Sequence, residues 1–311
     1  VATVFFDVSY QSIVPSLVRA ERIPDANGKL ESTAQLAGIA GPAAGGWLVA
    51  AITAPFAILA TVATYVISLI ALLLTRDREV VPERHEHEPL GRSIAEGLRW
   101  VFGNRYLRRI VPTTAVSNFF GTIMYTLLPI LLFRELGFTP ELVGLVFGLS
   151  ALGGFLGAVS TPWIVRWIGE ARAIPVGSLA FTLIGFAIPA AAAVPDVAFP
   201  LLVVQGFLMS FSVLLYNITQ VSFRQRITPT RLLGRMNASI RFCVWGVMPI
   251  AALLAGALGT WIGTVPTMWI GAIGSLLSIL PVVIGPFWSM RELPSPDETE
   301  PARGALPGDS A

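Results

Sequence analysis

The chain has 311 residues, 54% of them hydrophobic and only 13% charged, about half the charged share of an ordinary soluble domain. With 21 Lys and Arg against 19 Asp and Glu there are too few charges to clothe a soluble globule of this size, and the net charge of +2 excludes the electrostatic footprint of a nucleic-acid binder. A single cysteine, Cys243, excludes a disulfide framework and every multi-cysteine metal site.

Residues 1 to 18 carry Val4, Phe5, Phe6, Val8, Ile13, Val14 and Leu17 as the apolar face of a helix end. Val1 stands first, with no positive stretch and no cleavage site. The start therefore reads as the cytoplasmic end of a helix with others before it, which makes the molecule a fragment. Stretches long enough to cross the hydrocarbon core, about 20 apolar residues, follow at about 33 to 53 and 55 to 75. The charged loop TRDREVVPERHEHEP comes next, and after it Ile94, Leu98, Trp100, Val101 and Phe102 predict a short amphipathic helix on the membrane face. Six more spans are expected at about 109 to 134, 140 to 165, 173 to 194, 198 to 223, 237 to 260 and 264 to 290. Beyond Glu292, Pro294, Pro296, Pro301 and Pro307 among acidic and small residues read as a disordered tail. The expected fold is an all-α membrane protein with about eight complete transmembrane helices and part of another. It comprises the remainder of an N-terminal bundle over 1–75, a cytoplasmic linker over 76–108, a six-helix bundle over 109–290 and the tail over 291–311.

Loop charge supports this count independently of hydropathy. If the chain threads as drawn, every one of the 21 Lys and Arg except Arg134 falls on one side. Cytoplasmic loops retain positive charge, so that side is the cytosol. The reading is a multi-pass protein of the plasma membrane with its C-terminus in the cytoplasm.

Residues 9 to 28 and 219 to 238 echo each other at an offset of 210, with Asn27 opposite Asn237 and Gly28 opposite Ala238, as expected of two repeated halves. Within the predicted span at 33 to 53, the run Gly38, Ile39, Ala40, Gly41, Pro42, Ala43, Ala44, Gly45, Gly46 resembles the GPxxGG fifth-helix motif of major facilitator superfamily exporters. Gly28 matches the fuller pattern, whereas Ala37 stands where that pattern has glycine. Small residues flatten a helix face for close packing and the proline kinks it, so the motif also fits a plain packing seam. Three more stretches, FFDVSYQSIVPSLV at 5 to 18, SIAEGLRWVFGNRYLRRI at 93 to 110 and LLGRMNASIR at 232 to 241, are similar to the branch of macrolide efflux proteins, enterobactin exporters and transmembrane secretion effectors. Arg166 and Arg172 lie in a turn that only loosely resembles the family's repeated loop motif and lacks its Asp.

Polar groups at membrane depth are the candidate site. Asp7 is the one acid expected inside a span; it fits either a cavity proton carrier or a helix-end acid paired with a loop arginine. Ser117, Asn118, Thr122 and Tyr125 share one face of the seventh helix of the full fold. Gln205, Tyr216, Asn217 and Gln220 occur in the tenth, and both sets fit substrate contacts or hydrogen bonds between helices. Arg241 and Trp245, one turn apart, fit an anionic or aromatic substrate, or an arginine snorkelling to the interface. His85 and His87 read as part of a solvated charge run and not as metal ligands, and Cys243 as packing.

No nucleophile with its base, no acid-rich motif and no phosphate-binding loop occurs, so neither a membrane enzyme nor an ATP-driven pump is expected. The resemblance implies a secondary transporter that exports a small amphipathic drug or siderophore-like metabolite. It would work by proton antiport with alternating access, as a monomer in the lipid bilayer, without cofactor, metal or nucleic-acid partner. An uptake symporter of the same fold and a transport-dead membrane scaffold are the rival expectations.

Overall fold

The computed structural model describes residues 54–74 and 90–292, together with single helical positions at Thr33, Ala37 and Gly41. The helix end expected at 1 to 18, the charged loop before Leu90 and the tail lie outside the described residues, as does the span at 33 to 53 apart from those three positions. Among the described residues all regular structure is helical, and the chain divides into two units, Val1–His87 and Glu88–Ala311.

Within the first unit, α1 (Ala54–Leu74) has 21 residues and no charged side chain. Its apolar part Ile58–Ala71 is shorter than the stretches that qualify as membrane spans. Phe56, Leu59, Tyr65, Val66 and Ile70 are all exposed. A helix apolar around its whole circumference suits lipid better than water.

The second unit begins with α2 (Leu90–Gly103). It continues with α3 (Leu107–Ile130), prolonged by a π-helical turn Leu131–Glu135, and α4 (Pro140–Ile168). Then come α5 (Glu170–Gly185), extended by short turns to Ala193, and α6 (Ala198–Ile227). The last three are α7 (Thr230–Trp245), α8 (Val247–Ile262) and α9 (Thr264–Val283). Leu107–Glu135, Pro140–Ile168, Glu170–Ala193, Pro195–Ile227, Leu232–Trp261 and Thr264–Val283 are the 6 stretches long and apolar enough to cross a membrane among the described residues.

Local chemistry fixes the ends. The Asn104 side-chain oxygen accepts from the backbone amides of Tyr106 at 2.9 Å and Leu107 at 3.1 Å, satisfying donors that the first turn of α3 leaves without helical partners. Pro140 opens α4 with Glu141 in its first turn, both favourable at a helix N-terminus. Gly169, at φ 94°, turns the chain from α4 into α5, a conformation that side-chain-bearing residues rarely adopt.

Packing depends on small residues. Phe211 of α6 lies so close to Gly157 of α4 that an added Cβ would meet its carbonyl oxygen at 2.7 Å, and Gly153 stands equally near the backbone of Phe207. Gly271 and Gly274 of α9 receive Met124 and Phe120 of α3 in the same way. Lipid tails are as apolar as the helices, so close backbone approach is what lets helices associate there. At the end of this unit where α2 packs, Tyr106 meets Phe223 and Phe287 edge-on at 5.8 and 6.0 Å; Leu127, Leu131, Ile188 and Met268 fill a second cluster toward the far end. The outer surface is apolar: Leu253 is 76% exposed, Trp167 81% and Trp261 82%. Tryptophans near span ends are the belt expected at the two membrane surfaces.

Arginine-bearing turns gather at the α2 end. Arg226 pairs with Glu170 at 2.5 Å, Arg235 pairs with Glu96, and Arg172 donates to the Trp288 carbonyl at 3.2 Å. Arg134 follows α3 at the other end.

Three details depart from the sequence expectation. Arg109, at the expected edge of its span, is the third residue of α3 and donates to the Pro281 carbonyl at 3.1 Å, satisfying an acceptor that the end of α9 leaves open. The span expected from 237 starts as helix at Thr230 and passes through Gly246 with helical dihedrals, φ −61° and ψ −24°, although Pro249 leaves the Trp245 carbonyl without its helical N–H. The last helix stops at Val283 and not near 290, since Pro286 opens a separate 3-10 turn. The amphipathic helix expected on the membrane face forms as α2, but one face packs on α7: Gly97 lies against the Arg235 carbonyl, and the Trp100 indole donates to the Thr228 hydroxyl at 3.3 Å.

Candidate functional site

Polar side chains inside the second unit fall into two stripes. On α3, Thr114, Asn118 and Thr122 are spaced by four and Tyr125 follows by three, which places them on one helix face. On α6, Gln205, Met209, Ser212, Tyr216, Gln220 and Arg224 are spaced by three or four along most of the helix. Gln205, Ser212, Tyr216 and Gln220 are buried.

Toward the far end the stripes share a cleft of about 120 Å³. Tyr125 of α3 and Gln205 of α6, singled out separately in the sequence, both line it, with Phe147 and Ser150 of α4 and Ile188 beyond α5. Its walls are mainly apolar with a few polar groups, and its volume is below the roughly 300 Å³ from which small-molecule pockets usually start.

Nearer the α2 end the stripes touch. The Thr114 and Tyr216 hydroxyls are 2.7 Å apart, and Thr114 also donates to the Ile110 carbonyl at 3.0 Å. Phe181 of α5 supports the Tyr216 ring edge-on at 5.5 Å. One turn on, the Gln220 amide donates to the Asn217 side-chain oxygen at 3.5 Å and accepts from Arg224 at 3.4 Å. On α7 the Arg241 guanidinium lies over the Trp245 ring at 5.0 Å, a cation–π arrangement.

Gln205 and Tyr125 thus line one cleft, Asn217 and Gln220 lie nearer the α2 end of α6, and Arg241 and Trp245 are together on α7. Asn118 and Thr122 lie between Thr114 and Tyr125 on α3, half-buried. Asp7, Gly38, Pro42, Gly45 and Gly46 lie outside the described residues; Gly41 is helical and exposed, with open space where a Cβ would stand. Sequence reasoning passed over Thr114 and took Arg224 as a loop charge. The signals were present: Thr114 is four residues before Asn118, and Arg224 continues the spacing of Tyr216 and Gln220. Among the described residues no group of three metal-ligating side chains occurs.

Six spanning-length helices with lipid-like exteriors, small-residue seams and polar stripes turned inward define an integral multi-pass membrane protein. The family model of the Major Facilitator Superfamily matches residues 1–248, and the chain belongs to that superfamily of membrane transporters, which bind small-molecule substrates within the membrane. No curated protein matches the chain.

Proposed function

We propose that this transporter exports small amphipathic molecules, of drug or siderophore-like kind, from the cytosol by proton antiport with alternating access. The observation that carries the reading is the pair of polar stripes on α3 and α6, joined at Thr114 and Tyr216 and opening toward an apolar cleft with Tyr125 and Gln205. Such a surface suits a ligand with one polar and one greasy part. Asn118, Thr122, Asn217 and Gln220 supply further hydrogen-bonding groups along the same route.

Direction and coupling rest on the sequence. The Gly41-Pro42 motif resembles that of exporters, and Asp7 is the candidate proton carrier. Each charge moved across 100 mV supplies about 2.3 kcal/mol, enough to drive useful accumulation. The arginine-rich turns support a cytosolic C-terminus, and in this reading the protein works in the plasma membrane as a monomer without nucleic acid.

Cells carrying the full-length protein test the reading with a fluorescent amphipathic dye. Lower accumulation than in control cells, abolished by a protonophore, is expected for a proton-driven exporter. Higher accumulation would identify an uptake symporter of the same fold, and unchanged accumulation over a panel of dyes would favour a transport-dead scaffold.

A further inference from the structure

We propose that the turn between α4 and α5, together with residues 286–291, binds the phosphate of an anionic phospholipid in the cytosolic leaflet. Arg166, Arg172 and Arg291 supply the donors, and Trp163, Trp167 and Trp288 hold the site at headgroup depth.

The contacts that assemble this site run through one strap. After α9 the chain folds back across the α4–α5 turn, with the Phe287 ring fully buried against Tyr106 at 6.0 Å. The Ala171 amide donates to the Arg291 carbonyl at 3.3 Å. Gly169, at φ 94°, lies so close to Arg291 that a side chain could not stand there. Arg291 Nη2 donates to the Arg166 carbonyl at 3.5 Å, and Arg172 Nε donates to the Trp288 carbonyl at 3.2 Å. The last turn of α4, the first turn of α5 and the strap thus each bring one arginine to the same corner of the bundle.

All three arginines are exposed. A carbonyl acceptor fixes a guanidinium in place without answering its charge, and each guanidinium has five donors in a planar fork. Among the described residues, carboxylates pair with Arg226 and Arg235 and with none of these three. Glu170, which lies between Arg166 and Arg172 in the chain, is the carboxylate taken by Arg226 at 2.5 Å. Glu292, beside Arg291, is exposed. Arg105 and Arg108 are exposed on the neighbouring turn between α2 and α3, but Arg105 lies over the Tyr106 ring at 5.7 Å and no strap ties the pair to a third cation.

Apolar surface beside the cations selects a lipid over a soluble anion. Trp163 and Trp167, four residues apart on one face of α4, are exposed, as are Trp288 and Ile284 at the end of α9. Indole rings settle at headgroup level, and Ile284 offers a contact for an acyl chain. The cytoplasmic leaflet carries anionic lipid, and the arginine fork matches phosphate oxygens in pairs. A soluble phosphate would meet the arginines and leave the apolar surface unused.

Native mass spectrometry of the full-length protein in detergent, titrated with dioleoyl phosphatidylglycerol or dioleoyl phosphatidylcholine, tests this. The first phosphatidylglycerol is expected to bind about tenfold more tightly than the first phosphatidylcholine. Arg166→Gln with Arg172→Gln should remove most of that preference, and Arg291→Gln alone should remove part of it. Arg105→Gln with Arg108→Gln, an equal loss of charge on the same side, should leave it intact. Equal binding of the two lipids by the wild-type protein would overturn the inference however the variants fold. An equal loss in both double variants would also overturn it, since any surface charge would then serve, as would an unchanged preference in Arg291→Gln. Displacement of phosphatidylglycerol by millimolar inorganic phosphate, beyond the effect of chloride at the same ionic strength, would make the ligand a soluble oxyanion and refute the lipid site.

Discussion

The hydroxyls of Thr114 and Tyr216 stand 2.7 Å apart, joining α3 to α6 at the level where Phe181 of α5 supports the phenol ring. Three spans meet at one side chain. Tyr216→Phe keeps the ring and loses the hydroxyl, which should cost about 1 kcal/mol. Tyr216→Ala also empties a buried site and should cost about 3 kcal/mol or more. Thermal unfolding of the purified protein in detergent should rank wild type above Phe and Phe above Ala; equal loss in both variants would mean the ring packing contributes nothing.

At Gly157, the neighbouring backbone of Phe211 leaves no room for a side chain. Gly157→Leu should force α4 from α6 and sharply lower the yield of folded, monodisperse protein. Gly144→Ala, on the same helix with nothing near its Cβ position, should behave as wild type in size-exclusion chromatography.

Glu96 and Arg235 pair across α2 and α7 with side chains each 34% exposed. Partial solvation discounts the pair to about 0.5–1 kcal/mol. A double-mutant cycle with Glu96→Gln and Arg235→Gln should return a coupling of that size, smaller at high salt than at low. A coupling unchanged by salt would indicate a better-shielded contact.

Leu253, in α8, is 76% exposed. If it faces lipid, Leu253→Lys should impair insertion by about 2.5–3.5 kcal/mol, whereas Leu253→Ala should be tolerated. Membrane-fraction yield separates the two. Normal insertion of the Lys variant would place this face in water.

Most of the second unit was legible in the sequence because hydropathy reports the property that lipid selects. The stretches expected at 109 to 134, 140 to 165 and 173 to 194 correspond to Leu107–Glu135, Pro140–Ile168 and Glu170–Ala193. Boundaries failed where helix and apolar run part company. Around Arg231 and Arg235 the chain stays helical while its side chains become polar, because α7 runs past the apolar stretch to pack on α2. At the other extreme the apolar residues after Val283 outlast the helix, which Pro286 prevents from continuing.

The site was half legible. Tyr125 and Gln205 were chosen as isolated polar residues, and nothing local in the chain reveals that α3 and α6 bring them to one cleft. Arg224 was missed for a clear reason: loop counting assigns every arginine near a span end to the surface, but this side chain folds back along its own helix to Gln220.

Side-specific labelling tests the central claim, a membrane-threaded transporter with its arginine-rich turns in the cytosol. The single cysteine Cys243 is first replaced by Ser; cysteine is then introduced as Arg134→Cys or Arg105→Cys, both exposed positions, and intact cells are treated with an impermeant maleimide. Labelling of the Arg134→Cys protein from outside, with Arg105→Cys reacting only after lysis, is the predicted result. The reverse pattern, or equal labelling of both, would contradict the account.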